Sequence, residues 1–213
     1  MAISREQIIR ALGEALADKG KRKFTQSVEL ILNFKGVDFS KPEKRLNLEV
    51  VLPNGKGKVP KIAVFADGQL ALDAKKSGAD LVLEGADIQK LATDRPKLKQ
   101  LMREYEFLAA PQLMMQIGKS LGQAMGPKDK LPKPIIGDKL SELMEKARRT
   151  VKVRTKGKNL PTVQCLVGNE NMPAEQLAEN IEAVIEAVKT KLGGENIASA
   201  FVKLTMGKPA RIS

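Results

Sequence analysis

"NGKGKVPK", residues 54–61, decides how the chain is divided. It holds two glycines, three lysines and one proline, with Val59 as its single apolar side chain. Such a stretch has nothing to bury and reads as a connector. The patterns on its two sides differ. Before it, "SVELILNF" (27–34) alternates Val28, Leu30, Leu32 and Phe34 with Ser27, Glu29, Ile31 and Asn33. "LNLEVVLP" (46–53) repeats the alternation through Leu46, Leu48, Val50 and Leu52. These are strands with one apolar face. After it, "KIAVFADG" and "ADLVLEG" are short strands that are apolar almost throughout. A helix ended by Gly78 separates them. Helical stretches at 86–93 and 95–105, then "FLAAP", then a helix from 111 to about 122 follow. Strands apolar on both faces, alternating with helices, indicate a covered parallel sheet.

The first pattern returns after a helix at 138–149 and the basic stretch "RRTVKVRTKGKN". "TVQCLVG" (162–168) is a strand, 174–192 is a helix between Pro173 and Gly193-Gly194, and "FVKLTMGKPA" (201–210) carries a last strand. The N-terminus opens with Ser4 and Gln7 in capping-box spacing, followed by Ile8, Ile9, Leu12 and Leu16 at helical period. The expected fold is an α+β discontinuous domain with an antiparallel sheet, residues 1–60 and 155–213. It is interrupted by an inserted α/β domain, Rossmann-like with a parallel sheet, at 61–154. Insertion is tolerated where chain ends lie close together. The two crossing segments then run side by side, and both are basic.

Charge narrows the function. The chain carries a net charge of +12, and residues 111–161 alone account for +8. A clustered excess points to a polyanion, with nucleic acid first. Histidine is absent, which removes the usual general base, zinc ligand and triad member. Neither a cofactor nor a metal site is expected. The single Cys165 fits a reducing, cytoplasmic setting, and no apolar run reaches membrane-span length. Six Phe, one Tyr and no Trp are too few for a platform that stacks base after base. They favour reading of the phosphate backbone and of folded RNA shape.

Several stretches offer themselves as sites. "FADG" before a helix resembles the start of a nucleotide-binding unit, but Gly68 is its only glycine and the fingerprint is missing. A nucleotide-binding enzyme using the α/β insert is therefore the alternative reading, and a packing turn the simpler one. "GPKDKLPKP" (126–134) is a proline-stiffened basic loop offering Lys128, Lys130 and Lys133. Met114, Met115 and Met125 at helical spacing read as core. Cys165 reads as a buried apolar residue. Phe24 stands out in "RKFTQS", after the basic run 19–23. If strands 27–34 and 200–206 are antiparallel neighbours, Phe24 meets Thr205-Met206-Gly207 at one sheet end, beside Lys23.

"KFTQSVE" (23–29), "GPKDKLPKP" (126–134), "VGNENM" (167–172) and "VKLTMG" (202–207) together resemble the signatures of the ribosomal protein L-one family, in its archaeal form. The resemblance covers essentially the whole chain, in order. It implies the same insertion fold and a non-catalytic protein in the cytoplasm that binds large-subunit ribosomal RNA at the mobile stalk. It further implies a role in release of exit-site tRNA and repression of translation by binding its own mRNA. A monomer is expected when the protein is free. The main RNA site falls on the discontinuous domain, at Lys23, Phe24, Ser27, Glu29, Ser199, Thr205, Met206 and Gly207. Lys128, Lys130, Lys133, Lys156 and Lys158 are the secondary basic contacts.

Overall fold

A computed structural model describes residues 3–136, 139–155 and 160–213. Lys156 and Lys158 lie outside the described residues. In chain order the elements begin with α1 (Arg5–Leu16), β1 (Ser27–Phe34) and β2 (Asn47–Val51). Next come β3 (Lys61–Phe65), α2 (Gly68–Lys76), β4 (Leu81–Leu83), α3 (Gly85–Thr93) and α4 (Arg95–Glu104). These lead to β5 (Tyr105–Ala109), α5 (Pro111–Met125), β6 (Lys133–Pro134) and α6 (Leu140–Arg149). The chain closes with β7 (Thr150–Arg154), β8 (Thr162–Asn169), α7 (Ala174–Leu192), β9 (Ile197–Leu204) and β10 (Ala210–Arg211). Two compact units result: Met1–Val59 with Arg149–Ser213, and Pro60–Arg148.

The discontinuous unit is built on an antiparallel sheet in the order β10-β9-β1-β8. Strand β1 is bonded on both edges, with Leu30 opposite Cys165 on one side and Val202 on the other. Its alternation places Val28, Leu30, Leu32 and Phe34 in the core, with Val163, Cys165, Val167, Ala200, Val202 and Leu204 from the flanking strands. Helices α1 and α7 supply the other layer. Ser4 and Gln7 form the capping box that starts α1. That helix buries Ile8, Ala11, Leu12 and Ala15, while Ile9 faces solvent. The alanines, being small, let α1 lie close to its neighbours. Burial pushes the Cys165 thiol up to about 12, so it is an inert core group.

The crossing segments are more ordered than a connector. Strand β7 pairs antiparallel with β2, Asn47 opposite Arg154 and Val51 opposite Thr150. Val151 and Val153 enter the core of the discontinuous unit. The return crossing therefore lies at Arg148–Arg149, where the sequence placed it at 154–155. The reason is that "TVKVR" is a two-valine alternation hidden among cations. The start of the glycine-lysine stretch is also held. Buried Asn180 accepts from Asn54 N (3.0 Å) and donates to Gly55 O (2.9 Å) and Val167 O (2.8 Å).

The second unit has a parallel sheet in the order β4-β3-β5-β6. Ala63, Phe65, Phe107 and Ala109 pack on one face with α3, α4 and α5. Ile62, Val64, Ala66 and Leu108 pack on the other with α2 and α6. Strand β5 starts at Tyr105, two residues before the apolar run that marked it in the sequence. Met125 is buried and Met114 partly so, but Met115 is 72 % exposed, against the core reading of all three.

Gly168 shows where the discontinuous unit is tightest. A Cβ there would lie 2.4 Å from Leu177 Cδ2 and 2.8 Å from Met172 Sδ. Gly168→Ala is expected to overpack the β8–α7 contact and destabilise by about 1–3 kcal/mol. Urea unfolding followed by circular dichroism checks this; an unchanged midpoint contradicts it.

Candidate nucleic-acid interface

The antiparallel sheet has one covered face and one open face. The open face carries the odd-numbered residues of β1 and β9: Ser27, Glu29, Ile31 and Asn33, beside Ser199, Phe201 and Lys203, all half-buried. Register puts Glu29 opposite Lys203 and Asn33 opposite Ser199. Lys203 Nζ lies 3.9 Å from a Glu29 carboxylate oxygen and donates to Thr205 O at 2.8 Å. Two anchors thus hold this lysine over the end of the sheet.

That end is where the chain leaves β9 as Thr205-Met206-Gly207. Thr205 N donates to Ser27 O (3.0 Å), and Thr205 Oγ1 accepts from Ser27 N (3.1 Å) while its hydroxyl donates to Ser27 O (3.3 Å). The threonine side chain therefore extends the β-ladder by one step across 178 residues of sequence. The turn closes with Gly207 N on Leu204 O at 2.9 Å. A Cβ at Gly207 would sit 3.1 Å from Leu204 Cβ, so glycine keeps the turn close to the strand it leaves.

Beneath the turn lies a buried polar relay. Met206 N donates to Gln26 Oε1 (3.1 Å). Glu170, also buried, accepts from Gln26 N (2.9 Å), Gly20 N (3.3 Å) and Gln26 Nε2 (3.4 Å). The Gln26 backbone N–H above all, then that of Gly20 and the Gln26 amide, hold the Glu170 carboxyl below its ordinary range. One carboxylate thus ties the exit of the first helix, the entry to β1 and the end of β8.

The structure brings Gln26, Ser27, Thr205, Met206 and Gly207 to one sheet end, with Lys23 and Phe24 in the segment that leads to Gln26. Phe24 is 52 % and Met206 59 % exposed, so two large apolar side chains stand in solvent there. Within the basic run, Lys21 pairs with Asp18, while Lys19, Arg22 and Lys23 are exposed and unpaired among the described residues. Ser199 is not at this end. It lies six residues up β9, about 20 Å away at strand rise. There Asn33 Nδ2 donates to its hydroxyl (2.9 Å) and Asn33 Oδ1 accepts from Thr162 Oγ1 (2.9 Å). In the other unit, Lys128 is exposed. Lys130 is an internal tie, 2.8 Å from Glu106 and donating to Tyr105 O at 3.2 Å. Lys133 belongs to β6, opposite Leu108. Sequence reasoning missed Gln26, Asn33 and Glu170. "NEN" carries no signal of its own until the fold sets Glu170 against residue 26.

An open antiparallel sheet on a unit interrupted by a parallel α/β unit, with an exposed aromatic, an exposed thioether and exposed cations at or before one sheet end, defines a two-domain protein with a candidate polyanion-binding surface. The chain belongs to the ribosomal protein L1p/L10e family, whose model matches residues 15–208. It is 44 % identical to the large ribosomal subunit protein uL1 of Methanothermobacter thermautotrophicus, over 97 % of this chain and 99 % of that protein. Identity is also 44 % to the protein of the same name from Thermococcus kodakarensis, over 100 % and 99 %. That of Methanothermococcus thermolithotrophicus is 42 % identical over 99 % of each. The relatives bear the name of a ribosomal protein, not of an enzyme.

Glu170 links the interface to pH. Its lowered carboxyl stabilises the folded chain above the ordinary glutamate value, about 4.3, and that contribution is lost as pH falls through the folded value. Glu170→Gln is expected to lower the unfolding midpoint at neutral pH, with the gap to wild type closing on acidification. Thermal melts across a pH series test it; a gap constant down to the acid limit contradicts the assignment.

Proposed function

We propose that this large-subunit ribosomal protein binds ribosomal RNA directly at the mobile stalk, through the open sheet end of its discontinuous unit. The observation that carries the reading is the tying of Thr205 to Ser27 and of Met206 to Gln26, which fixes the turn that exposes Met206, with Phe24 and unpaired cations exposed in the segment leading to Gln26. A rigid site loses little entropy on binding. Phe24 and Met206 offer flat, soft surface to a base or sugar, and Lys19, Arg22 and Lys23 offer charge to phosphates. Glu29 and Ser199 extend the surface along the open face. Lys128, on the other unit, is the exposed member of the secondary basic set among the described residues, with Lys130 engaged internally.

The finer roles follow the same surface. A site that reads a folded RNA shape accepts any RNA that reproduces it. Repression of translation through the protein's own mRNA is one such use. Contact with exit-site tRNA during its release is a separate role of the assembled stalk. The working place is the cytoplasm, in the large subunit.

Binding to a ribosomal RNA fragment is expected to weaken steeply with salt, log K falling by about 0.7–0.9 per phosphate contact for each log unit of salt. Phe24→Ala is expected to cost about 1–3 kcal/mol with the salt slope kept, and Lys23→Gln to lower the slope by about one. Filter binding at several salt concentrations separates the two; a Phe24→Ala protein of full affinity removes this sheet end from the site. Residues 1–59 joined by a short Gly/Ser linker to 149–213 are expected to fold and keep most of the affinity. A folded protein of this kind that does not bind moves the main site to the insert.

A further inference from the structure

Helix α4, in the inserted unit, is charged against its own backbone. A helix favours acids in its first turn and bases in its last, because its N-terminus carries partial positive charge. Helices α1, α3, α6 and α7 each have an acid in the first turn. Helix α4 has none there. It begins with Arg95, continues with Lys97 and Lys99, and places its one carboxylate, Glu104, last. Asp94, just before it, is engaged as the cap, accepting from Lys97 N at 3.1 Å. Arg5 at the start of α1 meets the same conflict with partners, Glu179 (3.4 Å) and Glu182 (3.6 Å). In α4 the conflict stands.

Arg95, Lys99 and Arg103 recur every fourth residue. They form one row along the helix, with about 6 Å of rise between successive members. All three are exposed, and none has a partner among the described residues. Like charges at this spacing repel. The other charges of the helix are answered away from the row. Lys97 faces α3, where the Asp87 carboxyl is held below its ordinary range by the Lys90 ammonium first, then by the Glu84 backbone N–H and more weakly by Lys97. Glu104 lies 3.7 Å from Lys61 and accepts from Gln100 Nε2 at 3.4 Å. A face that serves only solubility intersperses both signs. A row that opposes the dipole and repels itself breaks local rules without compensation, as binding surfaces do.

The exposed side chains narrow the partner. Besides charged groups, α4 exposes Pro96 and Gln100, and no aromatic or large aliphatic side chain. Protein partners are held at such apolar anchors, and single-stranded nucleic acid is held by stacking on aromatics. Phosphates need only the cations, and two of the three are arginines, whose fork fits phosphate oxygens. In base-paired RNA the phosphates are outside and the bases inside. We propose, taking RNA as the polyanion from the reading above, that the Arg95, Lys99 and Arg103 row is a second RNA surface. It grips the phosphate backbone of base-paired RNA and reads no sequence.

The test uses the full chain, two RNA duplexes of unrelated sequence and the ribosomal RNA fragment. Arg95→Gln/Lys99→Gln/Arg103→Gln is expected to lose about tenfold in affinity for both duplexes at low salt and to lower the salt slope by about two to three. A control of the same net charge replaces three exposed lysines elsewhere, Lys41, Lys75 and Lys76, by glutamine. It is expected to stay within about threefold of wild type, and Lys97→Gln within about twofold. Stability supplies a readout that a structural role would move the other way. The row variant is expected to melt about 1–3 °C above wild type, since the repulsion and the conflict with the dipole are gone. The control removes two lysines from the last turn of α2 and is expected to melt no higher than wild type. Full duplex affinity in the row variant, or equal losses in row variant and control, overturns the proposal alone. So does a row variant that melts below wild type, which assigns the three side chains to the fold. Poly-glutamate that displaces duplex RNA as well as unlabelled duplex does, charge for charge, makes the row a site for acidic protein and also overturns it. Wild-type chain that binds duplex through the row but not the ribosomal RNA fragment overturns the sheet-end reading alone. Binding to no RNA overturns both.

Discussion

The structure depends on one strand shared between two distant pieces of chain. Strand β1 comes from the N-terminal segment, yet both of its neighbours, β8 and β9, come from the C-terminal one. A sheet with a central strand missing has no core, so the discontinuous unit forms only when residues on either side of the insert meet. Loop-closure entropy grows slowly with length, so the intervening unit adds little to that cost. It adds less still because it folds on its own two-faced sheet, with clusters on each side. The β2–β7 ribbon brings the two crossings together, so that the insert leaves and returns at one place in the discontinuous unit.

The same pairing makes the candidate interface. Strands β1 and β9 run antiparallel, so the entry to one and the exit of the other fall at the same sheet end. Gln26 and Met206 become neighbours without any local sequence bringing them together. The buried groups there carry the fit. Thr205 spends its hydroxyl on Ser27, Gln26 its amide on Met206, and Glu170 its carboxylate on Gln26. A buried polar relay costs stability unless each member is satisfied, and here each is. What such a relay provides is a single geometry, which a recognition surface needs more than extra stability.

How far this was legible follows from what each level encodes. Alternation in "SVELILNF" and the continuous apolar run in "KIAVF" are period signals, and they marked the two sheet types and the interruption. That the entry to β1 meets the Thr205-Met206-Gly207 turn was legible as a consequence of antiparallel order, and Ser27 and Gln26 are the residues bonded to it. Strand β7 was not, because two valines between cations leave too short a period to separate strand from connector. Met115 was misread because helical spacing alone does not say which of two adjacent methionines turns inward; α5 buries Leu113, Ile117, Leu121 and Met125 instead. The position of Ser199 far from Thr205 follows simply from strand length. The role of Glu170 was invisible, because a buried carboxylate has no pattern until its donors are in place.

"VGNENM" shows why a motif can be dense without being a contact surface. Val167 faces the core, and its carbonyl accepts from Asn180, which also holds residues 54 and 55. Gly168 admits Leu177 and Met172 against the backbone. Asn169 closes the turn by accepting from Asn171 N, at 3.1 Å, and Glu170 fixes residue 26. In six residues the chain joins residues 54 and 55 of the outgoing segment, the long helix and the proposed recognition turn. The side chains of the proposed RNA surface are few and exposed, and those that hold the turn, Gln26 and Glu170, are buried and come from other parts of the sequence. On the proposed reading, the geometry of the surface rests on buried residues as much as on the exposed Phe24 and Met206.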